Sequence, residues 1–302
     1  MKKIICIGEC SLNIVLDKDG SPLGSMPGGR VANAAALLAR DGLDVVMASE
    51  ASADEVGDII VSFLERSGAD THYIDRFTEG RTPVNIFTTS ADGTRTITRY
   101  ENYPEECFDI VWPRIDEGDI VLFGGFYAID GRMHPRMLRL IQHAAERKAV
   151  IIYLPGFMPS QEPRITRVMP ALLENLELAD LVVARNNDLQ TIFGVSEGQK
   201  CFDKHINFYC RSMINVDTAA QEICYYSGNE ITSVKIPAGV CSSLLWNAGA
   251  VAGAVAAIFE RNLTPADLDT PGAGIREAIC GAAAGKALQT ARALTAEWQK
   301  VS

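Results

Sequence analysis

Residues that carry chemistry are sparse in this chain. Its 302 residues include only four histidines, His72, His134, His143 and His205. No two of them stand at the His-x-x-x-His spacing that would bring them together on a helix as zinc ligands. The eight cysteines (6, 10, 107, 201, 210, 224, 241 and 280) form no Cys-x-x-Cys pair. Several sit in apolar runs, as Cys6 and Cys224 do, and read as reduced core residues of a cytoplasmic protein. There is no Gly-x-Ser-x-Gly, which argues against a hydrolase elbow. No Gly-x-Gly-x-x-Gly follows the first strand, so a dinucleotide site has no support. No apolar run approaches the roughly 18–20 residues needed to cross a bilayer, and Glu9 cuts the N-terminal apolar run too short for a signal peptide. The formal net charge is −10 and there is no basic run of five, which sets aside nucleic acid and anionic membranes as partners. Asn262-Leu263-Thr264 fits a glycosylation sequon but carries no meaning without an export signal.

The composition itself, 47% hydrophobic and 22% charged, is that of an ordinary globular protein. Strand and helix patterns alternate. Short apolar runs at 4–7, 44–49, 119–123, 149–154 and 181–184 read as buried strands. The segments 31–40, 54–67, 134–147, 165–176, 188–193, 248–261 and 274–298 read as helices. This rhythm predicts an α/β fold with a doubly wound, mostly parallel sheet and helices on both faces. Segments 12–26 and 84–100 break it. Each reads as two strands about a turn, Asp17-Lys18-Asp19-Gly20 and Ala91-Asp92-Gly93. Together they predict a small β-sheet lid over a cleft. Segments 223–227 and 231–236 should pair across Gly228-Asn229. Gly281-Ala282-Ala283-Ala284-Gly285-Lys286-Ala287 looks superficially like a phosphate loop. It is one residue short, and Ala287 cannot ligate magnesium, so it reads as a helix packed on small residues with Lys286 solvated. With no repeat or linker, the expectation is one domain, 1–302, with lid strands near 12–26 and 84–100.

The most informative stretch is Pro27-Gly28-Gly29-Arg30-Val31-Ala32-Asn33. Paired glycines lie directly ahead of a small-residue helix, where a backbone can approach a ligand and free N–H groups face the turn. One turn on, the Asn33 amide can both donate to and accept from hydroxyls, as a polyol receptor would. On these residues alone, a plain strand-to-helix turn of any α/β protein remains the competing reading.

Further features follow in order: Gly8-Glu9 with Leu12-Asn13, Asp54 with Gly57, Ser67-Gly68-Ala69-Asp70, Thr82-Pro83-Val84, Asp92-Gly93-Thr94-Arg95, the strand from Gly118 to Gly125, and Ala179–Ala184 through Phe193-Gly194. The ordered set resembles the ribokinase-like (PfkB) carbohydrate kinases nearly end to end. The resemblance implies a sugar or related alcohol bound near the lid, ATP and Mg²⁺ near the C-terminal half, and phosphoryl transfer to a substrate hydroxyl. It places Asn13, Gly28, Gly29, Asn33 and Arg99 at the substrate. It places Arg185, Asp188, Ser242, Leu245 and Trp246 at the nucleotide, with Asp188 also at the metal. A homodimer through the lid stays open.

The chain departs from that family in one half. Cys241-Ser242-Ser243-Leu244-Leu245-Trp246-Asn247 stands over the family's D-[ST]-[ST]-G-A-G-D. Leu244 and Trp246 replace both glycines, and Asn247 stands where the catalytic base belongs. An amide can orient a hydroxyl but cannot take its proton, and loss of a positioned base costs about 10²–10⁴ in rate. The plain alternative is that Leu244, Leu245 and Trp246 are core residues at a helix start. Arg185-Asn186-Asn187-Asp188 lies over N-x-x-E, so Arg185 replaces Asn and Asp188 shortens Glu. No glycine stands near 215–219, where T-x-G belongs. Leu154 replaces the Asp of D-P-N, and Asn13 replaces an Asp at the sugar. Arg99 is either a contact for an anionic substrate or a solvated lid residue. Two readings follow. One is a sugar kinase in which Asp188 or a water network compensates for Asn247. The other is a catalytically silent homologue that binds a sugar or phosphosugar. A purely structural role has no positive sign. Both readings require Asn247 to share one pocket with the paired glycines.

Overall fold

Alternation along the first strand, β1 (Ile4–Ile7), sets the architecture. Ile4 and Cys6 enter one apolar cluster and Ile5 and Ile7 another, all fully buried. A strand covered on both faces belongs in mid-sheet with helices on either side. The computed structural model describes residues 2–89, 95–104, 108, 111–158, 161, 162, 164–237 and 245–298.

The strands are β1, β2 (Ser11–Leu16), β3 (Pro22–Gly28), β4 (Val45–Ser52), β5 (Asp70–Phe77), β6 (Arg81–Thr89), β7 (Arg95–Asn102), β8 (Ile120–Gly124), β9 (Val150–Leu154), β10 (Leu181–Arg185), β11 (Ser212–Asp217), β12 (Glu222–Ser227) and β13 (Glu230–Lys235). A 9-stranded sheet runs β13-β12-β11-β10-β9-β8-β1-β4-β5. It is parallel from β11 to β5, and β12 and β13 close one edge antiparallel. The expected pairing across Gly228-Asn229 is present. Strand β5 had no counterpart in the sequence reading, because its mixed polar pattern at the sheet edge lacks a buried run.

The helices are α1 (Arg30–Arg40), α2 (Glu55–Arg66), α3 (His134–Glu146), α4 (Ile165–Leu178), α5 (Asn186–Phe193), α6 (Gly198–Cys201), α7 (Trp246–Glu260), α8 (Pro265–Asp269) and α9 (Ala273–Trp298). Helices α1, α2, α7 and α9 cover one face of the sheet, and α3, α4 and α5 cover the other. The Ala- and Gly-rich α7 and α9 pack on each other. Residues 281–287 lie inside α9, as expected. Lys286, however, is not solvated: its side chain is 14% exposed and pairs with Asp41.

The two rhythm-breaking segments form a separate 4-stranded sheet, β3-β2-β6-β7. Its centre is a parallel β2–β6 pair. Asp54 ties this lid to the main domain. It caps α2 by accepting from Gly57 N (2.8 Å) and also accepts from Thr82 Oγ1 (2.7 Å) on β6. The turn residues 90–94 lie outside the described residues. Cys6, Cys10, Cys201, Cys210, Cys224 and Cys280 are buried and free, as core thiols should be; Cys107 and Cys241 lie outside the described residues. Among the described residues, no helix is long and apolar enough to cross a membrane.

Candidate functional site

In open α/β sheets the ligand crevice lies beyond the carboxyl ends of the strands, where successive connections diverge. Here β1 lies between β4 and β8. Glu9 beyond β1, Gly124-Gly125 at the end of β8, Gly156 beyond β9, Arg185 ending β10 and Thr218 beyond β11 all line one cavity of about 390 Å³. The lid contributes Asn13, Asn85 and Arg99, and α1 contributes Arg30 and Asn33. Gly29 ends the strand-to-helix turn at φ +105°, where an added Cβ would collide with the Glu9 carbonyl oxygen. Only glycine turns the chain there without strain.

The lid end of the cavity is an amide and hydroxyl network. Asn85 Nδ2 donates to Ser11 Oγ (3.0 Å) and Asn13 Oδ1 (2.9 Å). Arg99 Nη1 donates to Asn85 Oδ1 (3.3 Å), and its Nη2 reaches Glu9 Oε2 (3.2 Å). Gln161 Nε2 donates to the same Glu9 oxygen. The Arg99 side chain is 6% exposed and also holds Glu101, so it is neither solvated nor free for a substrate anion. Burial pushes the Glu9 carboxyl up, and the Arg99 guanidinium opposes that shift. Asn33 lies on α1, 8% exposed.

Helix α7 and strand β10 add to the lining. Leu245, Trp246 and Asn247 all line the cavity. Trp246 is 2% exposed and belongs to the core, as the plain alternative has it, while also lining the cavity. Asn247 is the second residue of α7. Its Oδ1 is buried with no hydrogen-bond partner among the described residues. Arg30 and Arg185, which line the same cavity, belong to an ion cluster. Asp188 accepts from Arg30 Nη1 (2.9 Å), Arg185 Nε (2.9 Å), Arg185 Nη2 (2.6 Å) and the Arg185 backbone N (3.0 Å). Burial would raise the Asp188 carboxyl, but the two guanidiniums outweigh it and hold it below its ordinary range. Oδ2 takes three of these N–H donors and Oδ1 one, and the two cations already on the carboxylate would repel a third. Asp188 therefore does not fit a magnesium ligand. Among the described residues, no three His, Cys, Asp or Glu side chains gather as a metal site.

The structure thus brings Asn13, Gly29, Asn33, Arg99, Arg185, Leu245, Trp246 and Asn247 around one cavity. Gly28 sits behind Asn13 and Ser11, with no room for a Cβ. Asp188 lies beneath its arginines, 4% exposed. Ser242 and Leu244 lie outside the described residues. Sequence reasoning passed over Ser11, Arg30, Asn85, Gln161, Asn187 and Thr218 as site residues. A signal existed for Arg30, because a cation in the first turn opposes the helix dipole and implies a partner elsewhere.

The family described as pfkB family carbohydrate kinase matches residues 1–235. The chain is 32% identical over 88 residues to the ribokinase of Bacillus subtilis (strain 168), covering 26% of this chain and 30% of that protein. It is 23% identical over 202 residues to fructokinase-1 of Oryza sativa subsp. japonica, covering 64% and 62%. Among solved structures, fructokinase from Vibrio cholerae O395 in apo form superposes with TM-score 0.77 at 16% identity, covering 97% of this chain and 99% of that one. Aminoimidazole riboside kinase from Salmonella enterica, complexed with aminoimidazole riboside and an ATP analogue, gives TM-score 0.76 at 16% identity, covering 95% and 92%. These structural likenesses establish the fold.

Proposed function

Because this chain belongs to the pfkB family of carbohydrate kinases, we propose that its cavity binds a sugar or related polyol and no longer catalyses efficient phosphoryl transfer. The observation that carries this reading is Asn247. It shares a cavity with the diglycine turn, where a proton acceptor would be needed, and it is an amide. Among the described lining residues the sole carboxylate is Glu9, and Arg99 holds it. Ser11, Asn13, Asn33 and Asn85 supply neutral donors and acceptors suited to hydroxyls. The unpartnered Asn247 Oδ1 accepts from an alcohol and orients it, but cannot deprotonate it. The expected loss is about 10²–10⁴ in rate.

A working sugar kinase is the second reading. The intact hydroxyl-binding end and the ribokinase and fructokinase relatives favour it. Thermal-shift measurements separate the two, since a ligand that binds only the folded state raises the midpoint. Sugars should raise it and magnesium–ATP should not. A coupled ADP-release assay over hexoses, pentoses, keto-deoxy acids and nucleosides completes the test. Brisk sugar-dependent ADP release would overturn the silent-binder reading. The lid also carries exposed Leu23, Ile97 and Tyr100, which support a homodimer through this sheet; light scattering of the full chain tests that.

A further inference from the structure

Two parts of the cavity lining differ in charge. At the lid end one cation, Arg99, meets two carboxylates, Glu9 and Glu101. Where α1 and β10 line the cavity two cations, Arg30 and Arg185, meet the single carboxylate of Asp188. Both of those arginines line the cavity, while the carboxylate that joins them lies beneath, 4% exposed. Arg30 uses its Nη1 on Asp188 and on the Pro155 carbonyl (2.8 Å). Arg185 uses its Nε and Nη2 on Asp188. The remaining guanidinium N–H groups have no partner among the described residues. A planar guanidinium with free N–H groups is matched to phosphate oxygens.

We propose that the cavity's ligand is a neutral sugar carrying a phosphate, with its hydroxyls at Ser11, Asn13, Asn33 and Asn85 and its phosphate on Arg30 and Arg185. This deepens the sugar-binding reading above and rests on it. Three features support it. The anion goes to the part with spare positive charge, because Arg99 is already balanced and a sugar acid at the lid would meet Glu9 and Glu101. Arg30 is pulled down to about 10 by burial first and by the neighbouring Arg185 second, against the pull of Asp188. At Arg185 burial also pulls down, but Asp188 outweighs it and pushes the group up, so of the two it is Arg30 whose charge the carboxylate offsets less. Finally, Arg30 and Asn33 stand three residues apart on α1, so one helix turn presents the phosphate contact and a hydroxyl contact to the same cavity. Gly156 lets the cluster sit this close: a Cβ there would lie 2.6 Å from Arg30 Nη1 and 2.7 Å from Asp188 Oδ1.

Isothermal titration of the full chain tests this. The probes are ribose and ribose 5-phosphate, fructose and its 1- and 6-phosphates, gluconate, and inorganic phosphate alone. At least one sugar phosphate should bind tenfold or more tightly than its parent sugar, and more tightly than inorganic phosphate and gluconate. R185Q and R30Q should each cut that preference, read as the ratio of the two affinities within one variant, to within about threefold. Circular dichroism and the unliganded thermal midpoint establish that the variants fold. Equal affinity for sugar and sugar phosphate, or a preference that survives in both variants, would overturn the phosphate assignment and leave sugar binding standing. Inorganic phosphate binding as tightly as any sugar phosphate would also overturn it. Failure of every probe to bind the folded wild-type chain would remove the sugar-binding reading as well.

Discussion

At the scale of single residues, positions 247 and 29 carry the sharpest tests of the proposed function. Asn247→Asp restores a carboxylate at the second residue of α7, where the helix dipole favours an acid, so the variant should fold at least as well as the parent. Its ADP release should nevertheless rise less than about tenfold. Trp246 still lines the cavity, and Asp188 remains paired with two arginines. Robust sugar-dependent turnover in this variant would show that the missing base was the whole defect. Gly29→Ala is the opposite case. At φ +105° an L-residue is strained, by about 1–3 kcal/mol, and its Cβ would meet the Glu9 carbonyl. Urea unfolding should show a loss of that size, with sugar binding abolished. Unchanged stability would mean the turn is not held at that dihedral. Residues of this kind were legible in the sequence because they lie within one turn of chain. The diglycine bend and Asn33 belong to a single local pattern. Ser11, Asn85 and Arg30 were not, since their roles depend on which strand of the lid lies beside which and on a partner more than a hundred residues away. The resemblance placed Arg185 at the nucleotide; that Arg30 shares the Asp188 carboxylate with it was not legible, because that pairing joins segments more than a hundred residues apart.

At the scale of elements, strong periodicity made α1, α2, α3 and the central strands readable, while β5, half-buried at the sheet edge, had no such signature. The joins between elements carry information that periodicity does not. Asp180 stands just before β10 and accepts from the Ile151 backbone N (2.7 Å) on neighbouring β9. Burial pushes its carboxyl up to about 6; the Ile151 hydrogen bond opposes this and Asp269 reinforces it. Its unfolded value is about 3.9, so the folded state binds the extra proton between about pH 4 and 6. This group's contribution is therefore fully present below pH 4, declines as pH rises through 6, and is flat beyond. The whole shift corresponds to about 3 kcal/mol. Asp180→Asn keeps the oxygen that accepts from Ile151 and removes the titration. It should stabilise the protein by about 1–3 kcal/mol at pH 7.5 and not at pH 4, as read by denaturant titration at both values. An equal effect at the two pH values would show that Asp180 is not held protonated by burial.

At the scale of the whole molecule, the main sheet was legible as rhythm and the lid as interruption of that rhythm. How the lid sits on the main sheet was not, because that geometry depends on a few contacts between distant segments. Asp54 with Thr82 and Glu9 with Arg99 are two such ties. The lid itself is thin and carries exposed apolar residues on β3 and β7, so it should open at lower free energy than the doubly covered central strands. Hydrogen exchange should show β2, β3, β6 and β7 exchanging well before β1, β8 and β9. Arg99→Ala removes one tie and leaves Glu9 buried without its counter-charge, which is costly. Exchange in β6 and β7 should then quicken about tenfold, while β1, β8 and β9 keep their protection. A bound sugar bridging Asn13 and Asn85 on the lid to Asn33 and Asn247 on the main domain would act in the opposite sense, slowing exchange in the lid strands. If Arg99→Ala instead loosened the central strands by the same factor, the lid would be part of one cooperative unit with the main sheet rather than a cover that opens over its carboxyl edge.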